Sequence, residues 1–135
     1  MSWTCKCGLD HEDSEKQCLI CGDIVSFALV LTGSLKSRRF SASEKPTPIG
    51  RNIYLSLAGD EARFVSPSQY QVFRDTDSEW YLQAVPKTVN LTAVNGTPCI
   101  PETPVMLHPG DTIAILTKSD LAAQHAVLEV SFVKT

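Results

Sequence analysis

Between Thr88 and Ile113 the chain reads TVNLTAVNGTPCIPETPVMLHPGDTI, two short apolar runs separated by Asn95-Gly96 and by a cluster of four prolines, Pro98, Pro101, Pro104 and Pro109, ending in Gly110-Asp111. Asn-Gly tolerates the positive φ of a tight hairpin turn. Pro-Gly-Asp sets a second turn ahead of the β-branched run Thr112 to Leu116. The stretch is predicted to be strand, turn, strand, and the rest of the chain is organised around it.

Upstream, Val25, Phe27, Leu29 and Leu31 alternate with Ser26, Ala28, Val30 and Thr32 before Gly33-Ser34, which predicts a strand and a turn. Ser37 to Ala42 reads as a second strand, and Ser43 to Pro48 as a polar loop. Further strands of four to six residues are expected at Ile53–Leu57, Tyr70–Phe73, Trp80–Val85 and Val127–Phe132. Turn compositions separate them, at Ala58-Gly59-Asp60, at Asp75 to Ser78 and at Pro86-Lys87. The best helical window, Ser119 to Ala126, is a single short stretch. Many short strands with frequent turns predict an all-β protein, a β-sandwich of two mostly antiparallel sheets.

A chain of 135 residues holds one core-bearing domain and a small appendage. We expect the division to fall after residue 23, with a head at 1–23 and a sandwich at 24–135. With 43% apolar and 20% charged residues, the composition is that of a soluble globular protein. The longest apolar run, Phe27 to Leu31, is too short to span a bilayer, and Met1 to Cys5 does not open a signal peptide, so a cytoplasmic protein is expected. The net charge of −3 sits wholly in the head, where Lys6 and Lys16 face Asp10, Glu12, Asp13, Glu15 and Asp23; the sandwich is neutral. An acidic head on a neutral body argues against nucleic acid, whose binding depends on cationic groups that displace counterions, and favours a protein partner.

Four of the five cysteines lie in the head, as Cys5-Lys6-Cys7 and, ten residues on, Cys18-Leu19-Ile20-Cys21. Two close pairs across a short loop let four thiolates converge on one tetrahedral ion, with Gly8 and Gly22 relieving the backbone after each pair. One structural zinc ion on Cys5, Cys7, Cys18 and Cys21 is the expectation. Two disulfides, which need an oxidising compartment, and iron are the alternatives. The pattern resembles a small rubredoxin-like zinc ribbon, with CxC standing for the commoner CxxC in the first pair. Protein thiols fill all four positions, so the ion would leave no site open for water. Cys99 stands alone in a turn and reads as a small, partly buried thiol.

Asn90, then Val94-Asn95-Gly96, Val105, Leu107 and Gly110-Asp111-Thr112-Ile113 resemble in order and spacing the last third of a forkhead-associated domain, a module that binds phosphothreonine peptides. The resemblance extends over about residues 24 to 133. Gly50-Arg51 matches the family's Gly-Arg, and Val65 to Gln69 falls where the family has Ser-Arg-x-His. By resemblance Arg51 supplies a guanidinium fork to phosphate, Ser66 a hydroxyl donor, and Asn90 a hold on the peptide backbone. Gln69 stands for a histidine that packs and holds loops, Val89 for a threonine hydroxyl near the phosphate, and Pro67 for a basic or polar residue.

The resemblance therefore implies an intracellular module that docks a phosphothreonine-containing protein segment. The alternative is a degenerate scaffold of the same fold with an unphosphorylated partner. The sequence offers no nucleophile with a base, no phosphate-cradling glycine loop and no open metal site, so an enzyme is not expected. Lys36 to Arg39, the densest basic run, reads as a solvated hairpin.

Overall fold

A computed structural model describes residues 2–4, 8, 10–12, 27–40, 46–74 and 79–134 of the protein. The four cysteines expected to hold zinc, Cys5, Cys7, Cys18 and Cys21, lie outside the described residues, as does the expected boundary at residues 23 and 24. In the head, β1 (Ser2–Thr4) pairs antiparallel with β2 (Asp10–Glu12), with Trp3 opposite His11. Gly8, between the two strands, has φ 86°, a conformation that suits glycine.

The body follows the expected strand pattern. β3 (Phe27–Thr32) and β4 (Ser37–Phe40) form a hairpin, and β5 (Thr47–Ile49) follows. After α1 (Arg51–Ala58) and a 3₁₀ segment (Gly59–Phe64) come β6 (Tyr70–Arg74), β7 (Trp80–Ala84), β8 (Leu91–Val94), β9 (Thr97–Pro98), β10 (Val105–Met106), β11 (Thr112–Thr117) and β12 (Asp120–Lys134). One sheet has the order β10-β7-β6-β5 and the other β4-β3-β12-β11-β8-β9. Every pairing in both is antiparallel. Strand period decides what lies between them: Tyr70, Val72, Trp80 and Leu82 from the first sheet meet Leu29, Leu31, Ile113, Ile115, Leu128 and Val130 from the second in one buried cluster. The indole Nε1 of Trp80 donates to the Phe27 carbonyl at 2.9 Å, satisfying the polar end of a buried aromatic.

Three expectations are corrected. Ile53–Leu57, expected as a strand, is the centre of α1. Tyr54, Leu57 and Ala58 are buried while Leu55 and Ser56 face solvent, which is helical spacing and not alternation. The short helical window at Ser119 to Ala126 is instead a turn and the start of β12. Thr47 and Pro48, expected in a loop, belong to β5; this strand lies at the edge of its sheet, where proline is tolerated.

α1 is pinned to the first sheet by a buried hydrogen bond between the Tyr54 and Tyr70 hydroxyls, 2.6 Å long. On the second sheet β12 carries a bulge: Ile113 faces Leu128 but Ile115 faces His125, and Ala126 takes φ 50°. The Glu61 carboxylate accepts the Ala126 N–H at 2.9 Å, tying the 3₁₀ segment to the bulge.

Candidate functional site

Strand register brings the family-like residues to one end of the sandwich. β5 pairs with β6 through Ile49 and Tyr70, so Gly50 and Gln69 leave the sheet together. β8 pairs with β11 through Leu91 and Leu116, which puts Asn90 and Lys118 at the corresponding end of the other sheet. Arg51 at the start of α1, Ser66 and Gln69 before β6, and Val89 and Asn90 before β8 thus come from three separate segments onto one rim.

Gly50 sets how closely the first two loops approach. A Cβ built there would lie 1.8 Å from the Pro67 carbonyl oxygen, so only glycine fits. That approach lets the Arg51 N–H donate to the Ser66 carbonyl at 3.1 Å and Arg51 Nε to the Val65 carbonyl at 2.9 Å. The guanidinium is oriented through Nε, its two terminal NH2 groups have no partner among the described residues, and the side chain is exposed. This leaves a forked donor held in place.

Gln69 ties the rim to the core. It is fully buried; its Oε1 accepts the Ser66 N–H at 2.9 Å, and its Nε2 donates to the Asn90 carbonyl at 2.9 Å and to Thr92 Oγ1 at 3.0 Å. Glutamine therefore clamps loops from both sheets, the work that the resemblance assigns to a histidine. Its burial keeps it from touching any ligand. Asn90 Nδ2 donates to the Phe64 carbonyl at 2.8 Å, and the Thr88 hydroxyl donates to the Asn90 carbonyl at 2.7 Å. Asn90 Oδ1 and one amide hydrogen have no partner among the described residues.

Ser66 is 8% exposed and accepts the Val89 N–H on its Oγ at 3.2 Å, and its own hydroxyl hydrogen has no acceptor among the described residues. Val89 is 74% exposed and sets an isopropyl group at the loop tip. Lys118, in the turn between β11 and β12, donates from Nζ to the Thr88 carbonyl at 3.4 Å. Sequence reasoning passed over Lys118 because it ran a short helix through the following residues; the turn composition of Thr117 to Asp120 was the signal for it.

The Asn95-Gly96 turn lies elsewhere. β8 separates it from Asn90, so it sits at the opposite end of the sandwich and not beside the rim. Asn95 and Gly96 take φ 52° and 81°, a two-residue hairpin turn, and the Asn95 side chain bridges to Asp111 at 2.9 Å and to the Thr112 N–H at 3.0 Å. An open groove of about 370 Å³ at this end is lined by Val94, Cys99, Ile100, Val105, Met106 and His108, among others. Burial pushes the Cys99 thiol above its ordinary pKa, away from the thiolate that a nucleophile needs. Its place fits a packing residue.

The FHA domain family model matches residues 47–116, just over half of the chain, and the chain belongs to the FHA domain family. Similar solved structures agree on the fold. One is an engineered FHA with a Myc-pTBD peptide, at 21% identity and a TM-score of 0.57, covering 82% of this chain and 92% of that one. Another is the N-terminal FHA domain of Rad53p from S. cerevisiae in complex with a phosphothreonine peptide, at 19% identity and 0.56, covering 82% and 94%. A third is the FHA domain of an Arabidopsis thaliana hypothetical protein, at 20% identity and 0.60, covering 82% and 89%. No curated protein matches the chain.

Proposed function

We propose that the protein is a binding module, not an enzyme, that docks a phosphothreonine-containing protein segment on the rim formed by Arg51, Ser66 and Asn90. The observation that carries this reading is the convergence of a guanidinium whose two NH2 groups have no partner among the described residues, a serine hydroxyl that accepts only a backbone N–H there, and an asparagine with spare amide capacity, the last two on loops tied together by Gln69. A phosphate brings about −1.5 to −2 charges and three acceptor oxygens, which a fork and a short hydroxyl donor satisfy. Phosphothreonine in the Rad53p complex supports the same ligand class for this chain. No bond is made or broken in such a site; it works by charge and placement.

The test is a titration of one peptide in its phosphothreonine and plain threonine forms against the wild type and Arg51→Ala. The phosphopeptide should bind in the micromolar range or weaker, a binding free energy no more favourable than about −8 kcal/mol, since Val89 and Pro67 supply no hydroxyl or cation. Arg51→Ala should lose about 2 to 3 kcal/mol of that binding. The exposed Val89 side chain favours a second reading, in which the rim takes an unphosphorylated partner. Equal binding of the two peptides with Arg51→Ala silent would establish that second reading in place of the first.

The head completes the proposal. Cys5, Cys7, Cys18 and Cys21 would hold one structural zinc ion in a ribbon at residues 1–23, ahead of the sandwich at 24–135. Paired β1 and β2 support this, because Cys5 and Cys7 lie in the sequence that joins them and Gly8 turns with positive φ. Reduced thiols imply the cytoplasm.

A further inference from the structure

The basic run Lys36 to Arg39 forms an open sheet edge. β4 is the last strand of the six-stranded sheet, and among the described residues only β3 pairs with it. Its backbone is half committed. The Gly33 N–H donates to the Lys36 carbonyl at 2.9 Å, and bonded pairs alternate in an antiparallel ladder, so Leu31 with Arg38 and Leu29 with Phe40 are the next bonded pairs. Ser37 and Arg39 therefore turn their N–H and C=O groups away from β3, to the outside of the sheet. The Leu35 N–H donates to the Leu57 carbonyl at 2.9 Å, which ties the β3–β4 turn to α1 and holds the edge in place before anything binds. This edge is remote from the rim: Ser37 lies opposite Thr32, Thr32 opposite Glu129, and Glu129 opposite Thr112, at the end of β11 away from the rim. From there β4 runs on past the end of β11, since Arg39 faces Val30 and Val30 faces Ser131.

Charge decides what the edge can take. Lys36, Ser37, Arg38 and Arg39 are exposed, and the three cations form no ion pair among the described residues. Phe40 is buried in the core, so Arg38, two residues before it, shares the inner face, and its guanidinium lies over the Phe40 ring at 5.6 Å. Ser37 and Arg39 take the outer face, where Ser37 Oγ lies 3.0 Å from Thr32 Oγ1. Cations on an edge strand guard it against pairing with its own kind, and two copies of β4 side by side would set like charges opposite each other. A guard of one sign still admits the opposite one. Because Arg38 and Arg39 stand on opposite faces, a strand laid alongside β4 meets them with two consecutive residues.

We infer that the β4 edge docks an extended protein segment carrying two adjacent carboxylates, added to the six-stranded sheet as a further strand. Backbone bonds to Ser37 and Arg39 hold the segment, and carboxylates opposite Arg38 and Arg39 select it. This site does not depend on the phosphothreonine reading of the rim.

The experiment titrates the whole chain at low salt with a short peptide of alternating Thr and Val that carries Glu-Glu, Gln-Gln or Lys-Lys at its centre, and reads amide exchange by NMR. The wild type is compared with the double variant Arg38→Glu, Arg39→Glu, each checked for folding by its thermal melt. Two exposed ion pairs predict that the wild type binds the Glu-Glu peptide about 3- to 20-fold more tightly than Gln-Gln. In that complex the Ser37 and Arg39 amides should exchange more slowly while those of β11 keep their rates, a readout that needs no variant. The double variant should prefer Lys-Lys. Tight binding of Glu-Glu with no added protection at Ser37 and Arg39 would mean ion pairing without strand addition, and the inference would be wrong. It would be equally wrong if the three peptides bound alike or not at all, or if DNA or vesicles of anionic lipid bound the wild type more tightly than Glu-Glu and lost that binding in the double variant. Self-association of the wild type that the double variant abolishes would assign the edge to a second copy instead.

Discussion

Gln69 shows most directly how one side chain organises the site. One of its three side-chain hydrogen bonds holds its own loop at Ser66 and the other two reach Asn90 and Thr92 across the rim, so both amide hydrogens and the carbonyl oxygen are engaged in a buried setting. Gln69→Ala leaves the Ser66 N–H, the Asn90 carbonyl and the Thr92 hydroxyl without this partner. The expected loss is about 2 to 4 kcal/mol of stability, read as a lower denaturant midpoint, with phosphopeptide binding weakened because Ser66 and Asn90 lose their support. Val89 is the opposite case, since its side chain supports nothing in the fold. Val89→Thr should therefore leave stability within about 0.5 kcal/mol and tighten phosphopeptide binding, in the titration that measures Arg51→Ala. The residue types at Arg51, Ser66, Val89 and Asn90 were legible in the sequence as members of one motif. The place of Lys118 beside them was not, because it depends on where the β11–β12 turn lands and not on any local pattern.

At the level of elements, the connection from β5 to β6 departs from the strand pattern of its sequence. Ile53-Tyr54-Leu55-Ser56-Leu57 fits alternation as well as it fits a helical face, and a five-residue window cannot separate the two periods. Packing decided it: as a helix the segment buries Tyr54 and Leu57 against the sheet and lets Tyr54 reach Tyr70. Gly50 starts that helix and admits the Pro67 carbonyl. Gly50→Ala should lower the melting temperature and push the first two recognition loops apart, and chemical shifts of Arg51 and Ser66 should move more than those of β11. Burial raises both tyrosine pKa values, most clearly for Tyr70, which also faces Tyr54. The folded state therefore favours the neutral phenols. Their contribution is complete below the unfolded tyrosine pKa of about 10 and is lost as pH rises beyond it. Melts from neutral to strongly alkaline pH should show stability falling above about pH 10, with a shallower fall in the double variant Tyr54→Phe, Tyr70→Phe.

Across the whole molecule, the zinc reading has the head and the sandwich held by different physics. The sandwich has a continuous buried core, whereas a segment of residues 1–23 is too short to bury one and on the zinc reading depends on its ion. Chelation should abolish the backbone signals of the β1–β2 hairpin while the sandwich keeps its circular dichroism, and elemental analysis of untreated protein should give one zinc per chain. A hairpin that survives thorough chelation would remove the zinc assignment. The phosphopeptide affinity should be unchanged by the same treatment, because the rim draws all of its clamps from the sandwich.

Turn chemistry and strand period in the sequence alone determined the fold class, since Asn95-Gly96, Pro109-Gly110-Asp111 and the alternating runs leave an antiparallel sheet as the consistent solution. The order of Gly50-Arg51, Ser66 and Asn90 in the sequence also carried the family resemblance. Tertiary structure alone decided that the Asn95-Gly96 turn lies at the far end from the rim, that residues 53–57 are helical, and that Lys118 joins the recognition loops. The reason is the range of the forces involved. Turns and alternation arise from φ/ψ limits within a few residues, whereas helix against strand in a short apolar run, and the end of the sandwich to which a loop belongs, follow from sheet register and packing between residues far apart in the chain.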